Sequence, residues 1–131
     1  MENRQNTIRK IYLATAYTGY ENKSFDIANK VAAEFIKEGH FVFSPISMSH
    51  PIAELGMLDG AWETWKELDM EFIRWCDEIV VINFGNEIID ENHEISKSVG
   101  VQDELKYGKE IGKKINYYRY EYYKNHVGKD L

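Results

Sequence analysis

The run Ser98-Val99-Gly100-Val101-Gln102-Asp103-Glu104-Leu105-Lys106-Tyr107-Gly108 decides how the chain folds. It follows a strongly strand-like stretch, Glu78-Ile79-Val80-Val81-Ile82-Asn83-Phe84, and a polar loop. Ser98 is placed to cap a helix, its side-chain oxygen accepting from the orphan backbone donors of the first turn. At about 100° per residue, Val101, Leu105, Gly108, Ile111 and Gly112 share one arc. Gln102, Asp103, Lys106, Glu110 and Lys113 fall opposite. Glu104 lands in the apolar arc. Burying an unpaired charge is expensive, so a carboxylate there is misplaced, paired, or a working group.

The same alternation of strand and helix extends outward in both directions. Lys10-Ile11-Tyr12-Leu13-Ala14 reads as the first strand and Thr15 to Asn22 as the loop after it. Ser24 can cap a helix to Glu38, with Ile27, Ala28, Val31, Ala32, Phe35 and Ile36 as its apolar stripe and Gly39 as its stop. His40 to Phe43 reads as a second strand. Ser44 to Gly60 holds both prolines, Pro45 and Pro51, with Ser47, Ser49 and His50. It reads as a long loop with room for a helical turn, and such loops are usually functional or lids. Asp59 can cap the next helix, which runs to Cys76. There Trp62, Trp65, Phe72, Ile73 and Cys76 share an arc, and Asp69 lies near its middle. The third strand, the loop Gly85 to Lys97 and the Glu104 helix follow, then a fourth strand, Lys114 to Tyr118. Met1 to Arg9 reads as a frayed start, and Arg119 to Leu131 as a polar, Tyr-rich tail or last helix.

This order predicts βαβ units and an α/β fold: a three-layer Rossmann-like or flavodoxin-like sandwich with four or five mainly parallel strands, in one domain over residues 1–131. Ligands of such sheets bind beyond the carboxyl ends of the strands. That edge collects Thr15 to Tyr20, Ser44 to His50, the chain after Asn83 and the start of the Glu104 helix.

Composition removes several classes of function. The net charge of −6, with no basic block, argues against a polynucleotide partner, though not against a small anion held by backbone donors. No apolar run approaches about 18 residues and the start has no signal-like core, so neither a membrane span nor a leader is expected. A lone cysteine, Cys76, excludes an internal disulfide, points to a reducing cytoplasm, and is expected to be a buried small hydrophobe. There is no HExxH, CxxC or paired His, so no metal is expected. GxGxxG and GxxxxGK[ST] are also missing, and no cofactor is expected.

Three constellations carry possible chemistry. Asp69 and Glu104 independently occupy the apolar arcs of separate helices; each alone could reach solvent or pair with a base, but together they suggest two acids that divide labour. Tyr12 is either a core aromatic or a phenol that orients a carboxylate. Ser98, with the N–H groups of Val99 and Gly100, either caps its helix or forms an anion site, the glycine letting a ligand approach. Thr15, Tyr17, Ser44 and His50 lie on the same predicted edge. Trp62, Trp65, Tyr17 and Tyr20 could wall a flat ligand.

Ile11-Tyr12-Leu13-Ala14, then Asp69 followed by Cys76-Asp77 and an apolar strand, then Ser98-Val99-Gly100-Val101-x-x-Glu104-Leu105, resemble the nucleoside 2-deoxyribosyltransferase superfamily. The first strand, Ser44-Pro45-Ile46-Ser47 and the Trp62/Trp65 helix look closest to its small DUF1937/DUF4406-like branch. The similarity spans about Ile11 to Tyr118. It implies Glu104 as the nucleophile at the anomeric carbon, Tyr12 as the phenol that positions it, and Asp69 as the acid that assists proton transfer to the leaving base. Ser98, where the transferases typically carry Asp, is similar to the deoxynucleoside 5′-monophosphate N-glycosidases, in which a Ser helps bind the 5′-phosphate. A neighbouring subunit is implied to complete the site.

The expected function is therefore cleavage of the N-glycosidic bond of a (deoxy)nucleoside 5′-monophosphate or nucleoside through a Glu nucleophile. The rival is a non-catalytic nucleotide sensor or sponge using the same pocket. The Tyr-rich end, Tyr117, Tyr118, Tyr120, Tyr122 and Tyr123, suggests surface buried by a partner and so a homodimer or higher homo-oligomer.

Overall fold

The structure, a computed structural model, describes residues 7–16, 21–59, 61–83 and 98–120. Strands β1 (Lys10–Thr15), β2 (Phe41–Phe43), β3 (Glu78–Asn83) and β4 (Lys114–Arg119) form, among the described residues, one sheet in the order β2-β1-β3-β4. Every neighbouring pair is parallel, and Tyr12 of β1 sits opposite Phe43 on one side and Ile79 on the other. The helices are α1 (Glu21–Lys37), α2 (Pro45–Gly56), α3 (Trp62–Trp75) and α4 (Val99–Glu110). The α/β layering is the one the alternation of elements predicts. Among the described residues no helix is long and apolar enough to cross a membrane.

Side-chain alternation along the strands divides the core in two. Ile11, Leu13, Val80 and Ile82 face Ile27, Val31 and Ala32 of α1. Tyr12, Ala14, Ile79 and Val81 face the other way, onto Ile73 of α3, Cys76 at its end and Val101 of α4. Covered on both faces and flanked by strands on both edges, β3 is buried at every residue, which is what its unbroken apolar run requires.

Several local expectations are corrected. The stretch read as a long loop is helical from Pro45 to Gly56: Ser44 caps α2, its Oγ 3.4 Å from the Ser47 amide, and Pro45 occupies the first turn. Proline is pre-organised there because its missing N–H would have no helical acceptor. Pro51 lies inside the same helix. Ser24 does not cap α1; it lies within the first turns, and its hydroxyl donates to the Ala16 carbonyl just after β1. Ile36 is 56 % exposed because α1 overhangs the short edge strand β2. Asp59 stands just outside α3, where its Oδ1 accepts from the Ala61 amide and the Thr64 hydroxyl. Much of the aromatic end serves the chain's own core: Tyr117 packs on the α3/α4 side, while Tyr118 and Tyr120 pack on the α1 side. Tyr122 and Tyr123 lie outside the described residues.

One contact fixes how closely α4 approaches the sheet. A Cβ on Gly108 would fall 2.4 Å from Cδ1 of Ile79, whose side chain is fully buried in β3. Gly108→Ala is expected to destabilise the protein by about 1–2 kcal/mol through overpacking. In an Ile79→Val background, which removes Cδ1, the same change should stabilise by up to about 1 kcal/mol from helix propensity. Urea unfolding of the four proteins measures this; equal effects of Gly108→Ala in both backgrounds would refute the contact.

Candidate active site

The chain passes outward from β1 to β2 and, separately, from β3 to β4, so the strand order reverses between β1 and β3. A crevice opens at the carboxyl edge of such a junction. Because α3 leads into the start of β3, its own N-terminus lies at that edge; α4 begins there too. The two helices cover the face of β1 and β3 from which Tyr12 projects.

Three predicted residues meet under these helices. The Tyr12 hydroxyl donates to Oε2 of Glu104 across 92 positions of sequence. Tyr12 is 0 % exposed, Glu104 5 % and Asp69 6 %. Oδ1 of Asp69 has no hydrogen-bond partner among the described residues, which is unusual for a buried carboxylate. Each acid lies in the apolar arc of its helix, so folding the arc onto the sheet carries the acid inward with it.

The electrostatics follow from this burial. Desolvation pushes Asp69 up to about 7. Glu104 is held well above the ordinary carboxylate range, by burial first and then by the charge of Asp69; the Tyr12 hydroxyl pulls the other way and Asp103 adds a smaller push. Tyr12 is raised too, by burial and then by the charges of Glu104 and Asp69, so it stays a proton donor in neutral solution. The charge of Asp69 bears on Glu104, so the two titrations are not independent. The Tyr12 hydrogen bond favours the charged form of Glu104, against burial and the charge of Asp69, which favour a proton there.

The other predicted residues are distributed differently. Ser98 caps α4, its Oγ accepting from the Val101 amide at 3.2 Å. Gly100, one turn before Glu104, lies against the Trp62 ring: a Cβ there would be 3.2 Å from Cε3 of the indole. Thr15 ends β1 on the face opposite Tyr12, and its buried Oγ1 has no partner among the described residues. Ser44 is occupied in capping α2 and, with Ser47, lines a groove of about 500 Å3 between α1, β2 and α2 that neither acid borders. His50 is buried within α2 against Phe25 of α1, ring centroids 4.6 Å apart, with Glu54 at 3.7 Å. Tyr17 and Tyr20 lie outside the described residues. Trp65 donates to the Asp59 carbonyl at 2.9 Å. Among the described residues no group of three or more His, Cys, Asp or Glu could hold a metal ion.

Sequence reasoning missed Asp103. It belongs to the polar arc of α4, yet Oδ2 accepts from Nε1 of Trp62 at 2.7 Å, and its charge bears on Glu104. Periodicity assigns a face and carries no signal for a partner 41 residues away.

The burial of Asp69 costs stability in a definite pH window. Below about pH 4 the folded and unfolded chains both hold the proton. Between the ordinary value of 3.8 and about 7, the unfolded chain releases it while the folded chain retains it, so stability falls as pH rises and levels off above. Asp69→Asn should remove this loss. Urea denaturation is expected to find the variant more stable than the parent at pH 8, by up to about 4 kcal/mol, and nearly equal at pH 4. A variant weaker at both pH values would contradict an uncompensated carboxylate.

Known proteins place the chain further. The family model described as "Domain of unknown function (DUF1937)" matches residues 9–120. The solved 2-deoxyribosyltransferase of the psychrotolerant bacterium Bacillus psychrosaccharolyticus is similar at a TM-score of 0.57 and 28 % identity, over 84 % of this chain and 72 % of that one. The 2-desoxiribosyltransferase of Leishmania mexicana is similar at a TM-score of 0.56 and 18 % identity, over 85 % of this chain and 64 % of that one, a likeness of fold. No curated protein matches the chain. With its sheet, both helical layers and all three clustered residues inside the matched span, the chain belongs to the DUF1937 family.

Proposed function

We propose that the protein cleaves the N-glycosidic bond of a nucleoside or a deoxynucleoside 5′-monophosphate through a covalent ester on Glu104. The observation that carries this reading is the hydrogen bond from buried Tyr12 to Glu104 in a site where Asp69 has an unpartnered oxygen. The likeness to the Bacillus psychrosaccharolyticus 2-deoxyribosyltransferase supports glycosyl transfer as the reaction class.

In the first displacement a carboxylate oxygen of Glu104 attacks C1′ as the C1′–N bond breaks through an oxocarbenium-like transition state. The bond's electron pair leaves with the base, and Asp69 delivers a proton to the nitrogen that receives it. In the second, water or an acceptor base attacks C1′, the ester C–O bond breaks, Glu104 regains its charge and Asp69 takes the proton back. Tyr12 steadies the Glu104 charge at the start and end of the cycle.

Ser98 supports a 5′-phosphate as the preferred handle. It stands at the N-terminus of α4, whose first turn carries no acidic residue to repel an anion. A site that only bound nucleotides would gain nothing from two desolvated acids, whose burial costs stability. The catalytic reading therefore outweighs the sensor or sponge.

Release of free base from nucleosides and their 5′-monophosphates tests the proposal. Glu104→Gln is expected to lower the rate by at least about 10³-fold with the fold intact. Tyr12→Phe should lower it by about ten- to a hundred-fold, the worth of a hydrogen bond to a charged group. It should also move the acid limb of the pH–rate profile upward, because the lost donor had lowered the Glu104 value. Ser98→Asp should penalise monophosphates and spare nucleosides. Base release by Glu104→Gln at the parent rate would overturn the nucleophile.

A further inference from the structure

Both acids are nearly sealed from solvent, so a sugar reaches Glu104 only when whatever covers it moves away. Helix geometry puts Trp62 and Trp65 on the side of α3 that leads from Asp69 toward the carboxyl edge, and of the two it is Trp62 that reaches α4, at Gly100 and Asp103. Gly100 precedes Glu104 by four positions, one turn nearer the carboxyl edge on the same face of α4. Trp62 precedes Asp69 by seven, two turns nearer that edge on the same face of α3. These two upper positions meet. The indole packs closely on Gly100, 3.2 Å and 3.5 Å from where a Cβ would stand, and its Nε1 donates to Asp103 at 2.7 Å. Trp62 belongs to neither buried core cluster, so it can turn aside without unpacking the sheet.

We infer that Trp62 is the residue that controls access to the acid pair: an indole latch, closed by its hydrogen bond to Asp103, that must swing off the first turn of α4 to admit a nucleoside-sized ligand. Its consequence for turnover rests on the glycosidic reading above, whereas the closure itself does not. The contacts suit a door. A part-buried hydrogen bond to Asp103 and the contact of its ring with Gly100 hold it, both of a kind that a bound heterocycle can replace. The absence of a side chain at Gly100 gives the closed ring its seat.

Chemical accessibility tests the latch without any substrate. A water-soluble carbodiimide with glycinamide modifies carboxyl groups it can reach, and peptide mass mapping reports Glu104 and Asp69. Trp62→Ala should raise the modification rate of both at least tenfold over the parent. Cys76, 1 % exposed in the core cluster beneath, should stay unreactive to a disulfide-exchange reagent. Trp62→Phe and Asp103→Ala each delete the latch bond but keep most of the packing. Each should accelerate modification several-fold, and the double variant should be no faster than the quicker single one. These two variants carry the test if Trp62→Ala fails to fold. Unchanged modification in Trp62→Phe and Asp103→Ala would overturn the latch, as would Cys76 exposure rising in step with that of Glu104. Faster modification in a protein that releases no base would leave the latch standing and remove the glycosidic reading.

Discussion

A phenol in the middle of a parallel sheet donates to a carboxylate on the helix above it, and both groups are buried. Bulk solvent would stabilise that carboxylate far more cheaply than a protein interior does. Here a single hydroxyl offsets part of the cost, and a second acid nearby adds to it. The molecule maintains an electrostatically unfavourable arrangement at its centre. The surrounding packing has to hold the two acids in place, since they do not hold themselves.

Helix α4 shows how that is done. Gly100, Glu104 and Gly108 succeed one another at intervals of four, forming a stripe along one side of the helix. At the mouth, the absent side chain of Gly100 admits the Trp62 ring from α3; at the floor, that of Gly108 admits Ile79 from β3. The acid stands between two close approaches, one to the neighbouring helix and one to the sheet. Each glycine weakens the helix by roughly 1 kcal/mol relative to alanine. The return is a short reach from Glu104 to Tyr12. Asp69 is presented from α3 by a parallel device, with Trp62 above it and buried Ile73 below.

Much of this was legible in the sequence because period and burial are linked. The alternation of strand and helix gave the layers. The apolar arcs suggested that both acids turn inward, although either could have reached solvent, and Tyr12 is out of phase with Ile11 and Leu13, which face α1. Contacts between distant residues were not legible. The polar arc that holds Asp103 reads as solvated, although the indole of Trp62 reaches it. Gly100 reads as room for a ligand, and a tryptophan occupies that room. Helix α2 was hidden by its prolines and by serines that suit loops as well as caps. Ser44 does follow the carboxyl end of β2, but it starts a helix, and His50 lies within that helix against Phe25 of α1. The tyrosines near the end of the described chain read as surface for a partner, although three of them pack inward.

The central claim is that Glu104 and Asp69 form one desolvated, electrostatically coupled pair, with the Tyr12 hydroxyl on Glu104. Carboxyl ¹³C NMR titration of the protein, with signals assigned through Glu104→Gln and Asp69→Asn, measures it directly. The account predicts that Asp69 titrates near 7 and Glu104 well above the ordinary range, with Glu104 moving down when Asp69 is replaced by Asn and up when Tyr12 is replaced by Phe. Two independent titrations near pH 4, unmoved by either substitution, would contradict it.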